Sequence, residues 1–171
     1  VMLVEVPETF IADYFIQLAK GRDDLIKGYV KVNGPSQVQK VKIEIPELKS
    51  VTEVTTDEDG LAKIEIPVMK LDCWSPDNPK VYKVTLSTVN ETIQEKIGFR
   101  TIETRSTDIL LNGEPVFLGG ICIHEENPMR GGRAYSAEDA RLLLGWAKEL
   151  NCNYVRLAHY PHSENMARVA D

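Results

Sequence analysis

The chain has 171 residues, enough for one domain or two small ones, and its 43% hydrophobic and 27% charged residues are the balance of an ordinary globular protein. A formal net charge of −6 with no compensating Lys/Arg cluster argues against a nucleic-acid backbone as partner, and no apolar run approaches membrane-spanning length. Cys73, Cys122 and Cys152 form neither an even disulfide framework nor a metal spacing. They are expected as small buried apolar side chains, and they leave the compartment open between cytoplasm and periplasm.

From Phe10 to about Arg105 the apolar residues recur at every second position. Residues 11–19 alternate loosely, and residues 25–34 end in Asn33 and Gly34, a turn signal. Residues 38–46 alternate cleanly, with Val41, Ile43 and Ile45 on one face and Lys40, Lys42 and Glu44 on the other. Such a strand keeps one face in a core and one in water. A further strand at 50–56 runs into Asp57, Glu58, Asp59 and Gly60, an acidic turn closed by glycine. The oxygen spacing there does not suit a calcium loop. Strands at 61–68, 80–89 and 92–105 bring the count to about seven, with turn signals roughly every ten residues and no helix. This is the pattern of an antiparallel β-sandwich of immunoglobulin-like type. Between two of the strands, residues 72–82 form a rigid loop with two prolines and Trp74, which is expected to plug one end of the sandwich. Stacking of Trp74 on a sugar is the other use open to it.

After Arg105 the pattern changes. Ile109, Leu110 and Leu111, then Asn112 and Gly113, then 115–118 predict a hairpin. Residues 121–123 form an apolar strand that stops at His124, Glu125 and Glu126. Residues 136–151 predict a helix with Ser136 as N-cap and Glu138 and Asp139 in its first turn. Ala140, Leu143, Leu144, Ala147 and Leu150 give it one apolar face. Gly145 costs about 1 kcal/mol against alanine inside a helix, and is expected to let the helix lie close to a sheet. Asn151 suits a left-handed cap. A buried strand follows through Val155, Leu157 and Ala158. It ends at His159, Tyr160 and Pro161, and Ser163 caps a second helix from Glu164.

Strand, helix, strand in this span is a βαβ unit with parallel strands. His124 and His159 should then stand on the same carboxyl rim, where parallel α/β folds build their sites. Arg156, inside an apolar strand, needs a carboxylate or backbone partner. An interior ion pair and a ligand-binding role both stay open for it. Glu125 and Glu126 are adjacent, so in extended chain they point opposite ways and make a poor catalytic pair. Glu125 is expected as a supporting partner or a solvated loop residue. A zinc site from His124, Glu125 and His159 would need all three side chains to converge tetrahedrally. Two parallel strands also cannot close a barrel, so an edge and an apolar face are expected to lack cover.

Five segments occur in a fixed order: Trp74, Ser75 and Pro76 before a strand; Gly98, Phe99 and Arg100; Leu111, Asn112 and Gly113; His124 with Glu125; and Arg156 followed by His159, Tyr160 and Pro161. Together they resemble glycoside hydrolase family 2, which includes β-galactosidases, β-glucuronidases and β-mannosidases. The resemblance covers the chain from about Val6 to Asp171. It implies a mostly β fold class, with an immunoglobulin-like β-sandwich over 1–105 followed by the first βαβ portion of a truncated (β/α)₈ TIM barrel over 106–171. A complete barrel takes about 250 residues, so the chain is expected to be a piece of a longer enzyme.

The resemblance further implies that His124, Arg156 and His159 bind the sugar, with Glu125 and Tyr160 in support. A retaining glycosidase needs two carboxyl groups about 5–5.5 Å apart. In the family these come from later barrel strands, so no catalytic residue is expected in this chain, and the acid/base and the nucleophile should lie beyond Asp171. Cys122 and Ile123 stand where many relatives have Asn-Arg, which leaves the sugar open. The function implied is a fragment of a retaining exo-β-glycosidase, β-galactosidase-like and inactive by itself. The alternative is a non-catalytic sandwich module that binds carbohydrate or packs other domains. Expected partners are a β-linked glycoside, the remaining barrel and jelly-roll domains of the parent, and, as an open question, a second copy. No cofactor, metal, nucleic acid or membrane is expected.

Overall fold

A computed structural model of the chain describes residues 3–69 and 71–171. They fall into two compact units, Val1–Glu103 with Leu111–Gly113 and Thr104–Leu110 with Glu114–Asp171.

The first unit carries seven strands: β1 (Phe10–Leu18), β2 (Leu25–Asn33), β3 (Lys40–Ile45), β4 (Ser50–Thr55), β5 (Leu61–Pro67), β6 (Tyr82–Ser87) and β7 (Thr92–Ile97). They form two antiparallel sheets, in the orders β1-β2-β5 and β4-β3-β6-β7. The fourth strand pairs with the third, whereas in an antibody constant domain it joins the other sheet. The alternation in β3 works as its sequence indicates. Val41, Ile43 and Ile45 are fully buried, while Lys40 and Lys42 reach Glu53 and Glu44 in the solvent layer, each at 2.8 Å.

The stretch 92–105 is not one strand, as its composition suggested. β7 ends at Ile97, and β8 (Ile102–Arg105) belongs to another sheet. The break is a packing event. Phe99 turns into the core, 1% exposed, with its ring 5.6 Å from that of Tyr82. Its carbonyl accepts the Trp74 N–H at 2.9 Å. A Cβ on Gly98 would lie 2.7 Å from the Trp74 ring, so only glycine fits there. The Arg100 guanidinium covers the indole at 4.4 Å. Trp74 is thus half-buried and engaged by its own unit.

β8, β9 (Asp108–Leu111) and β10 (Glu114–Pro115) form a small sheet in the order β10-β9-β8. The β9–β10 turn has φ 53° at Asn112 and 85° at Gly113, the paired left-handed residues of a type I′ hairpin. Asn112 also accepts from the Thr101 N–H at 3.1 Å and donates to the Trp74 carbonyl at 3.0 Å.

The second unit contains β11 (Gly120–Ile123), α1 (Ala137–Glu149), β12 (Tyr154–Leu157) and α2 (Glu164–Ala170). β11 and β12 are parallel, with Gly120 opposite Tyr154 and Ile123 opposite Leu157. Helix α1 begins at a capping box. The Ser136 side chain accepts from the Asp139 N–H, and the Asp139 carboxylate accepts from the Ser136 N–H. Its core joins Ile123, Ala134, Ala140, Leu143 and Met166, with Ile121, Trp146 and Val155 packed against them.

Four sequence expectations need correction here. β12 is not buried, because only one face of the strand pair has apolar cover; Tyr154 is 44% and Leu157 36% exposed. Leu150 lies past the last turn of α1 and is exposed, so it leaves the apolar face. Gly145 allows no close approach, since a Cβ there would meet nothing within 4 Å. None of the cysteines is fully buried, and Cys122 is exposed on the open face of β11.

Candidate functional site

The carboxyl ends of β11 and β12 meet at one rim. The Ala158 N–H donates to the Ile123 carbonyl at 3.0 Å, carrying the ladder one step past β12. The peptide bond between Ala158 and His159 is cis. His124 and His159 stand side by side. Their ring centroids are 5.4 Å apart and their planes 84° apart, and both residues are exposed. The Tyr160 ring lies 6.2 Å from His124. A neutral imidazole offers one donor and one acceptor, so this pair presents to solvent the mixed hydrogen-bonding groups that a hydroxyl-rich ligand needs.

Arg156 sits lower on the same strand pair, in register with Cys122. Its guanidinium Nη1 is 3.8 Å from Cys122 Sγ. Arg156 is exposed and forms no ion pair among the described residues. The expected carboxylate or backbone partner is therefore not what holds it. The uncovered face keeps the charge in water, which removes the cost of burying it.

Glu125 behaves in the opposite way. It is 2% exposed, not a solvated loop residue. One carboxylate oxygen accepts from Arg133 Nε and the other from the Ser163 N–H, while its own N–H donates to the Tyr160 hydroxyl at 3.2 Å. Burial pushes the Glu125 carboxyl up. The Ser163 N–H and the Arg133 ion pair outweigh that and hold it below the ordinary carboxylate range. With both oxygens engaged, Glu125 does not converge with His124 and His159 on one point. No group of three His, Cys, Asp or Glu side chains able to hold a metal ion occurs among the described residues.

The loop from Glu126 to Arg133 closes on itself through a bridge between those two residues. The Asn127 side chain accepts from the Met129 N–H at 2.8 Å and donates to the Asp139 carboxylate, and Arg130 reaches Asp139 at 2.6 Å. These bonds, the Asn127 amide first, take the Asp139 carboxyl from its ordinary 3.8 to about 2. An open hollow of about 1030 Å³ is lined by Ile121, Cys122, His124, Leu143, Trp146 and Tyr160 among others.

Sequence reasoning thus pairs His124 with His159 and sets Tyr160 beside them. It misses Arg133, Asn127, Asp139, His162 and Ser163 as partners at the rim. The signal for Asp139 was present as a first-turn acid, but nothing in the spacing of 126–135 announces which carboxylate Arg133 would meet.

The family model for glycosyl hydrolases family 2 matches residues 9–100, and the model for that family's TIM barrel domain matches residues 102–171. The chain belongs to glycosyl hydrolase family 2. It is 29% identical over its whole length to a β-galactosidase of Actinobacillus pleuropneumoniae, of which it spans 17%. Over 77% of its length it is 33% identical to a β-galactosidase of Arthrobacter sp. strain B7, spanning 12% of that protein. Among solved structures, a GH2 β-galacturonidase from Eisenbergiella tayi bound to galacturonate superposes with a TM-score of 0.79 at 27% identity, covering 97% of this chain and 31% of that one. A β-glucuronidase of Bifidobacterium dentium reaches 0.81 at 23% identity, covering 93% and 28%, and shares the fold. The family 2 chain described here therefore spans less than a third of each of these relatives. Its fold class is that of the family: mostly β, antiparallel sheets first and then the opening βα segment of a barrel.

Proposed function

We propose that this chain contributes the sandwich and part of the sugar subsite of a retaining exo-β-glycosidase, β-galactosidase-like in substrate. The domain boundary lies near Arg105, with the sandwich over 1–105 and the barrel portion over 106–171. His124 and His159 contact sugar hydroxyls from the rim, and Arg156 adds a positive charge from lower on the same strands. Glu125 and Tyr160 stand behind them and keep the two rim loops in register. The observation that carries this reading is the pair of exposed imidazoles, 5.4 Å apart, on the carboxyl rim of two parallel strands.

Among the described residues the rim offers no pair of free carboxylates for double displacement. Glu125 is bound on both oxygens, and Glu126 is exposed on the neighbouring bridge. A retaining mechanism takes two carboxyl groups about 5–5.5 Å apart, so the acid/base and the nucleophile come from other strands of the parent barrel. Its partners are thus a β-linked glycoside and the rest of that barrel, with the jelly-roll domain.

The test is kinetic. The 171-residue chain alone releases no nitrophenol from 4-nitrophenyl β-galactoside. In an enzyme carrying this segment, His124→Ala or His159→Ala lowers kcat/KM by roughly 10–100-fold, the loss expected when a site's hydrogen bond to substrate is removed. Turnover by the chain alone, or full activity of both variants, would overturn the assignment.

A further inference from the structure

The chain holds three histidines, and all three gather at this rim. His124 and His159 face outward. His162 is half-buried and does something else. Its Nε2 lies 3.2 Å from the Ala158 carbonyl oxygen. Its ring stacks on Tyr160, with centroids 5.2 Å and planes 24° apart. Its Nδ1 is buried and meets no hydrogen-bond partner among the described residues. A carbonyl oxygen can only accept, so Nε2 carries a hydrogen, and in the neutral ring Nδ1 keeps its lone pair. A buried acceptor with no donor is unfavourable, so the other contacts of the ring must hold it in place.

Those contacts bracket His159. Ala158 precedes it and Tyr160 follows it. The Ala158 N–H is already tied to the Ile123 carbonyl at 3.0 Å, and the bond from His162 takes the other polar group of the same residue. Tyr160, backed by the His162 ring, stands 6.2 Å from His124 and accepts the Glu125 N–H at 3.2 Å. The next residue, Ser163, gives its N–H to the Glu125 carboxylate. One imidazole therefore braces the residues on both sides of His159 and, through Tyr160, backs His124.

We propose that His162, as its Nε2–H tautomer, is a positioning residue that sets the orientation of the His159 and His124 rings and so the affinity of the rim for sugar hydroxyls. It touches no sugar itself. The effect on affinity rests on reading His124 and His159 as sugar contacts. The effect on ring orientation does not.

The experiment uses the full 171-residue chain, labelled with ¹⁵N, in which three imidazoles give three resolvable ring systems in a long-range ¹H–¹⁵N spectrum. His162→Phe keeps a stacking ring and removes the bond to Ala158. His162→Gln keeps an amide donor of similar reach and removes the stack. The expected result is a His162 ring protonated at Nε2, with the His159 ring resonances, and to a smaller extent those of His124, displaced in both variants. Galactose titrations should then reach half-saturation at three- to tenfold higher concentration in each variant. A His162 ring protonated at Nδ1, or His159 and His124 resonances unmoved in both variants, would overturn the proposal. If galactose moves no ring of the unmodified chain while the variants still displace His159, the sugar-contact reading falls and the positioning role stands. If the unmodified chain binds and both variants bind equally well, the positioning role falls alone. Should His162→Phe lose its folded amide spectrum, His162→Gln and the tautomer of the unmodified chain decide the matter.

Discussion

The sandwich and the βαβ unit are held together by different chemistry. In the sandwich, sixteen buried apolar residues form one cluster, and Thr9 and Thr56 are the polar side chains buried with them among the described residues. In the βαβ unit the buried cluster has five members, and Glu125, Asn127 and Asp139 are buried beside it. Apolar burial is non-directional and scales with area. It makes the sandwich firm without aiming any one side chain. A buried carboxylate must find its donors at fixed angles. Glu125 and Asp139 therefore specify where the loops after β11 and β12 lie, and with them where His124, His159 and Tyr160 stand. The unit with the smaller core is the one that needs its side chains aimed.

The contrast can be broken most severely in the sandwich. Phe99→Ala removes a fully buried ring that also ends β7, and should cost about 3–5 kcal/mol. Hydrogen exchange across β1 to β7 would report it as lost protection. Undiminished protection would mean the cluster does not depend on the ring that divides the stretch 92–105.

In the βαβ unit the corresponding lesion is polar. Glu125→Gln ends the ion pair with Arg133, whose side chain is 65% exposed, and sets a buried amide NH2 against either the Arg133 Nε–H or the Ser163 N–H, for an expected loss of about 1–3 kcal/mol. Faster exchange of the Ser163 and Ala134 amides would check it. The same network gives the unit its own acid limit. The Glu125 and Asp139 carboxyls are both held low when folded, Asp139 at about 2. Their contribution is complete above the unfolded carboxylate value of about 4 and is lost as pH falls through the folded values. Circular dichroism and exchange between about pH 4 and pH 2 should show α1 and the rim loops loosening, and Asp139→Asn should flatten that response. A helix signal equally steep in the variant would remove Asp139 as its cause.

The smallest effect has the opposite sign. Nothing lies within 4 Å of where a Gly145 Cβ would be, so Gly145→Ala should stabilise α1 by about 1 kcal/mol. A loss of stability in thermal melts would show that the helix needs a glycine there after all.

Local periodicity made most of the architecture legible. Val41, Ile43 and Ile45 alternate because a pleated strand turns each successive side chain to the opposite face, and the same rule exposes Lys40 and Lys42. The α1 N-terminus was legible at Ser136 and Asp139 because capping is chemistry between near neighbours in sequence. Even the meeting of His124 and His159 followed from local signals, since two parallel strands joined by one helix must place their carboxyl ends together.

Partnerships between distant segments were decided only when the chain folded. Phe99 divides a stretch that reads as continuous because Trp74, twenty-five residues earlier, is packed against Gly98. Glu125 is buried because Arg133 and Ser163 arrive from two other segments to bond both of its oxygens. Arg156 needs no such partner, because the face it stands on is open to water. A pattern in sequence records which face a side chain takes. Whether a charge on that face is solvated or paired depends on which segments the tertiary structure sets against it, and at this rim that choice determines which side chains reach a ligand and which hold them still.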